Sequence, residues 1–232
     1  MRFLRHLLPA ALALLPAAAA AEQPVDVELV LAVDVSGSVD ADEQALERDG
    51  LVRAFHDRAV IEAIGALPQG LAVAVVAFAG AGQTQTVVSW HRLADPRQIA
   101  AFADRIARAF PVRFAYAKCT AIGDAIEWSR RELVGNGYRG RARIDVSGDG
   151  RSSDGEYPGP ARDRAVAGGI VISGLAILNE ESYLDEYYRR TVVGGPGAFV
   201  LTAADYASFA EALRRKLLQE LSSGPTASRR PI

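Results

Sequence analysis

Residues 71–79, Leu-Ala-Val-Ala-Val-Val-Ala-Phe-Ala, run for nine positions without a polar side chain. A strand of that composition has no face to offer water, so it must lie inside a sheet covered on both sides. Residues 27–35 and 170–178 are nearly as apolar. Between these runs the period changes to that of helices. Ile99, Phe102, Ala103, Ile106 and Phe110 form one such stripe; Ile122, Ala125, Ile126 and Leu133 form a second. Tyr206, Phe209, Ala210, Leu213, Leu217 and Leu221 form a third. In residues 40–64, Leu46, Gly50 and Ala54 are expected to face inward beside Leu51 and Phe55, with a break near His56-Asp57. The alternation predicts one α/β domain: a doubly wound, mostly parallel sheet with helices on both faces. Gly80-Ala81-Gly82 links residues 71–79 to an alternating Thr/Val run at 84–90. So short a link makes a hairpin, hence one antiparallel edge strand.

Further elements follow from local chemistry. Asp95-Pro96 reads as a helix cap followed by proline at the first helical position. Residues 143–147 read as a short strand ending in Gly148-Asp149-Gly150, and residues 151–160 as a solvated polar loop. A helix over 162–168, a helix over 183–193 and a last strand over 198–201 complete the set. Thr202 to Asp205 is expected to cap the final helix.

The 232 residues carry a formal net charge of −2, with 50% hydrophobic and 23% charged residues. That balance gives no reason to expect nucleic acid or an anionic membrane as partner. Arg2, Arg5 and His6 precede an apolar stretch at 7–15 and small residues at 17–21. This is the three-part pattern of a signal peptide, expected to be cleaved near Ala20 or Ala21. It predicts an exported chain, periplasmic or secreted, with no stable membrane span after processing. Residues 1–21 are thus read as signal peptide, 25–221 as the folded domain and 222–232 as a flexible tail. Cys119 is the only cysteine, so no internal disulfide forms, and a small buried role is expected for it.

Oxygen donors gather at the element ends. Asp34, Ser36 and Ser38 follow the first strand, Thr120 precedes a helix, and Asp149 closes a later strand. In open α/β sheets, ligands bind at the carboxyl ends of the strands. Hard oxygen donors suit a hard divalent cation. Asp-x-Ser-x-Ser after an apolar strand, a loop threonine opening a helix and a strand ending in Asp-Gly resemble the von Willebrand factor type A domain. The stretches around Asp34 and Asp149 are most similar to DUF1194, a group of uncharacterised exported bacterial proteins. The resemblance covers roughly residues 25–221 and implies a von Willebrand A, Rossmann-like fold. It also implies a metal-ion-dependent adhesion site. Ser36, Ser38 and Thr120 would supply hydroxyl oxygens to Mg²⁺ (or Mn²⁺ or Ca²⁺). Asp34 and Asp149 would stand in its inner or outer shell, and a protein partner would complete it with an Asp or Glu. Two departures stand out: Lys118-Cys119 precedes Thr120 where many members have glycine, and Ser147-Gly148 replaces an apolar-threonine pair.

Other classes fit less well. A metal-dependent hydrolase on a similar sheet would need a general base, and none is evident. A Ser-His-Asp hydrolase would need a nucleophile elbow, which is missing, and a histidine near it; His56 and His91 lie elsewhere. A metal-free structural module of the same fold is the third possibility. The reading is therefore a non-enzymatic binding module. Secretion should remove residues up to about Ala21; mass spectrometry that finds Arg2 on the exported protein would refute the signal assignment.

Overall fold

The computed structural model describes residues 22–114 and 118–222. The signal-peptide expectation and the tail beyond Ser222 lie outside the described residues. Six strands form one sheet: β1 (Gln23–Asp34), β2 (Leu71–Phe78), β3 (Thr84–Leu93), β4 (Tyr138–Gly148), β5 (Val171–Ile177) and β6 (Val200–Ala203). Their order is β3-β2-β1-β4-β5-β6. Only β3 runs antiparallel, as the short Gly80–Gly82 link requires. All other neighbours pair in parallel. The two most apolar runs, β1 and β2, are interior strands, and β2 is buried at every position.

Helices cover both faces. α1 (Ala41–His56), α2 (Arg58–Gly65), α3 (Pro96–Ala109) and α7 (Tyr206–Ser222) pack on one side. α4 (Ile122–Val134), α5 (Pro158–Ala167) and α6 (Leu184–Tyr187) pack on the other, α6 continuing into a π-helical turn over Tyr188–Val192. No helix among the described residues is long and apolar enough to cross a membrane.

Local chemistry sets the boundaries. Asp40 caps α1 through a capping box with Glu43. Asp57 ends α1 and caps α2, which explains the break expected there. The final helix differs from expectation. Thr202 belongs to β6, and Asp205 forms the cap by accepting the Ser208 amide at 2.8 Å. β4 is also longer than expected, because Arg139 and Arg141 lie at its outer end and disguise it as loop.

The larger departures are polar residues inside the core. On β4, Arg143, Asp145 and Ser147 alternate with Ile144 and Val146, so all three polar groups share one face. Lys216 and Glu220 of α7 meet Arg143 and Asp145 there, although the apolar stripe of α7 did not include them. Arg143 Nη1 lies 2.5 Å from Glu220 Oε2, and Lys216 Nζ lies 2.8 Å from Asp145 Oδ2. Lys216 also bridges to Glu220 at 3.4 Å and sits 5.1 Å from the Phe199 ring centre. The four side chains are 0–2% exposed. Two positive and two negative charges cancel, so the cluster is neutral as a unit. The Lys216–Asp145 contact is close but off-axis for a hydrogen bond, so charge dominates it.

Removing one partner from such a cluster leaves a buried charge uncompensated, at a cost of about 3–5 kcal/mol. Lys216→Met should lower unfolding stability by that order in a denaturant titration. Asp145→Leu added to Lys216→Met leaves Arg143 and Glu220 paired and should recover most of the loss.

Candidate metal centre

The register of β1 builds the site. Val33 pairs with Ser147 of β4, and Asp34 pairs with Phe78 of β2. Asp34 therefore leaves the sheet beside Gly148, one residue before Asp149. A Cβ at Gly148 would sit 2.9 Å from Asp34 Oδ2 and 3.0 Å from the Tyr188 hydroxyl. Glycine is thus required by space, which accounts for one departure from the pattern that the sequence resembles.

All five expected residues converge at this sheet end. The Ser36 amide donates to Asp34 Oδ1 at 2.8 Å, fixing the loop after β1. Thr120 Oγ1 donates to Ser36 Oγ at 3.0 Å, and Ser36 Oγ lies 3.2 Å from Ser38 Oγ. Ser38 Oγ donates to Asp149 Oδ1 at 2.9 Å. Asp34, Ser36, Thr120 and Asp149 are buried, while Gly37 and Ser38 are exposed and form the outer lip.

Thr120 does not cap α4 with its side chain; Ala121 occupies that position and α4 has no side-chain cap. Its backbone is held instead. The Ala121 amide donates to Ala79 O at 2.7 Å. Ser153 and Asp154 amides donate to Thr120 O at 2.8 and 3.2 Å, and Thr120 N donates to Ser153 Oγ at 3.1 Å. Residues 152–154, expected to be solvated, are therefore the clamp that positions Thr120. Lys118 is exposed and Cys119 is half-buried.

Two tests bear on a cation here. Six oxygens around Mg²⁺ at 2.0–2.1 Å put adjacent ligands about 3 Å apart. The hydroxyl and carboxylate separations of 3.0, 3.2 and 2.9 Å have that spacing. Second, Asp34 Oδ2 and Asp149 Oδ2 are buried with no hydrogen-bond partner. An unsatisfied buried carboxylate oxygen is costly unless something positive meets it. The residues fit a hard divalent ion. Among the described residues, no three His, Cys, Asp or Glu side chains are grouped to hold a metal. The hydroxyls are therefore needed to complete any coordination.

Burial, then the Asp149 charge, raises the Asp34 carboxyl to about 7. Burial also raises Asp149, against Ser38 and the nearby Tyr206 phenol, which favour its charged form. The phenol's geometry falls outside a hydrogen bond.

The sequence reading missed Glu47. It is fully buried on α1 and both its oxygens lack a hydrogen-bond partner. Its carboxyl is held well above the usual range, first by burial and then by Asp34 and Asp149. Gln44 beside it is buried too, and Leu46, expected to face inward, is 38% exposed. The helix is turned to aim Glu47 at the back of the site. Positions 44, 47, 51 and 54 form one helical stripe, and that spacing was the available signal.

The sequence matches the family described as a protein of unknown function, DUF1194, over residues 24–225. The chain belongs to the DUF1194 family. No curated protein matched the sequence. Among solved structures, proximal thread matrix protein 1 from the mussel byssus is similar at TM-score 0.61 and 16% identity, over 90% of this chain and 50% of that one. A further structure of that protein is described as having a zinc-occupied MIDAS motif, at TM-score 0.59 and 15% identity, over 87% and 49% of the two chains. A von Willebrand factor type A protein from Catenulispora acidiphila is similar at TM-score 0.56 and 20% identity, over 84% and 42%. This chain spans about half the length of the first two. At these identities the likeness establishes the fold: the DUF1194 chain has a von Willebrand A architecture.

Two buried acids, Asp34 in the site and Asp145 in the cluster under α7, make stability fall with pH when divalent ions are chelated. Asp34 is raised from 3.8 to about 7, and Asp145 from 3.8 to about 6. The folded state therefore holds protons that the unfolded chain has released. Their contribution is complete below about pH 4 and lost between about 4 and 7. Thermal melts in EDTA should show this decline, and Asp34→Asn should flatten it; a slope unchanged in that variant would count against the assignment.

Proposed function

We propose that this DUF1194 protein is an exported binding module that holds Mg²⁺, or Mn²⁺ or Ca²⁺, at Asp34, Ser36, Ser38, Thr120 and Asp149. The single observation that carries this is the run of four hydrogen-bonded side-chain oxygens beside two unpartnered buried carboxylate oxygens. Ser36, Ser38 and Thr120 supply neutral oxygens, and the two aspartates balance the ionic charge. An ion held mainly by neutral hydroxyls keeps enough positive character to attract a carboxylate at its remaining positions. The exposed lip at Gly37 and Ser38 is where a partner's Asp or Glu reaches it. The role proposed is recognition rather than catalysis: Glu47, a further acid near the site, is buried away from the exposed lip.

The surroundings narrow the partner. Glu43 feels Asp40 and Glu180 as like charges, and Asn179 Nδ2 donates to Glu43 Oε1 at 2.9 Å across the lip. A partner acid flanked by basic residues matches this acidic rim better than an acidic cluster would. The module is residues 25–221, preceded by a signal peptide at 1–21 and followed by a tail at 222–232. It acts in the periplasm or outside the cell.

Mg²⁺ at about a hundred times its Kd should stabilise the protein by about 2.7 kcal/mol, raising Tm by about 5–10 °C. Asp34→Ala with Ser36→Ala should abolish the gain in differential scanning calorimetry. An equal Mg²⁺ response in the double variant would defeat the site. Capture of a partner from the native envelope should require the ion and be reversed by EDTA.

A further inference from the structure

Trp90 and Trp128 are the chain's only two tryptophans, and both line a groove between β3 and α4. The groove has two adjoining parts, of about 300 and 340 Å³, which share Trp128 and Arg131. The first part reaches Gly82, Asp124 and Glu156; the second reaches Glu132 and Asn136. Trp128 is 39% exposed, in a protein that buries most of its large apolar groups. Its indole N–H is already used, donating to Thr86 Oγ1 at 3.0 Å. The Trp90 N–H donates to Glu132 Oε2 at 3.1 Å, and Thr86 Oγ1 donates to Glu132 Oε1 at 2.7 Å. The tryptophans therefore offer the groove ring surface rather than hydrogen-bond donors.

The charges are arranged around that surface. Glu127 is met by Arg130 and Arg131 at 2.9 Å, and Glu156 is met by Arg164 at 2.5 Å. Asp124 and Glu132 meet only neutral donors. Asp124 accepts the Glu156 amide at 2.8 Å, and Glu132 accepts the Thr86 hydroxyl and the Trp90 indole. Neither forms an ion pair among the described residues. A carboxylate without a cation partner thus stands on each side of an exposed tryptophan.

The helix sets the spacing. Asp124, Trp128 and Glu132 are successive i, i+4 positions on α4, about 6 Å apart along the axis and about 12 Å end to end. Alternate residues of an extended chain on one face are spaced by roughly 6.6 Å. Positions i, i+2 and i+4 of such a segment therefore fall opposite Asp124, Trp128 and Glu132. Cations pair with the outer carboxylates, and a cation over an indole face gains further attraction.

We propose that this groove binds an extended peptide segment carrying basic residues at alternate positions. The outer two pair with Asp124 and Glu132, and the middle one stacks on Trp128. The site shares no residue with the metal centre.

Intrinsic fluorescence reads the groove directly, because both tryptophans lie in it. The probe is an acetylated, amidated Arg-Ala-Arg-Ala-Arg peptide, titrated into the protein in EDTA so that the metal centre does not contribute. A saturable fluorescence change is expected, at least tenfold weaker in affinity for Arg-Arg-Arg-Ala-Ala and absent for Glu-Ala-Glu-Ala-Glu. The isosteric Asp124→Asn with Glu132→Gln removes both charges and keeps one acceptor oxygen at each position; it should weaken binding at least tenfold while a thermal melt still shows a cooperatively folded protein. Trp128→Leu should weaken it as well, read by calorimetry. No saturation, equal binding of the contiguous-arginine peptide, or unchanged affinity in the Asn/Gln variant would each overturn the proposal.

Discussion

Two carboxylates at the ends of adjacent parallel strands are the constraint around which the top of this molecule is arranged. Parallel pairing of β1 with β4 brings Asp34 beside Gly148, one residue before Asp149, and both aspartates are buried. Like charges in a low dielectric repel strongly, and the Asp149 charge adds to burial in holding the Asp34 carboxyl above the usual range. What surrounds them is a set of neutral donors: the Ser36 amide and the Ser38 hydroxyl. The loop after β1, the clamp on Thr120 and the glycine at 148 all hold this arrangement in place. It is stable as a structure only to the degree that protons or a cation relieve it.

The same β4 face solves an equivalent problem differently at its other end. Arg143 and Asp145 are as deeply buried as the aspartates, but α7 brings Lys216 and Glu220 to close the charge balance internally. One polar row thus has a self-compensated half, deep under α7, and an uncompensated half that opens at the strand ends. A fold gains nothing from leaving charge unbalanced. The contrast between the two halves is the strongest physical argument that the upper half serves binding.

Much of this was legible in the residues. Uninterrupted apolar runs identified the interior strands, and the three-residue glycine turn identified the antiparallel edge. Asp34, Ser36, Ser38, Thr120 and Asp149 could be named because each stands where an element starts or stops. What could not be read were polar groups inside regular elements. Glu47, Lys216 and Glu220 occupy stripe positions on their helices, but periodicity favours the apolar choice there, so Leu46 is the residue it turns inward and Glu47 goes unmarked. Asp145 was hidden within a strand in the same way. Such residues are decided by what faces them across the sheet, which is tertiary information. The loop at 152–154 was misjudged because polar composition does not separate a residue hydrated by water from one satisfied by another loop's backbone.

Gly148 carries a consequence for comparing sequences of this fold. Any side chain at that position must displace Asp34 Oδ2 or the Tyr188 hydroxyl, since the backbone of β4 is locked into the sheet between β1 and β5. A relative with a larger residue there has therefore had to move its first-strand aspartate or do without a phenol in the place of Tyr188, even if the Asp-x-Ser-x-Ser letters are intact. Glycine before the second aspartate and tyrosine at 188 are thus expected to change together.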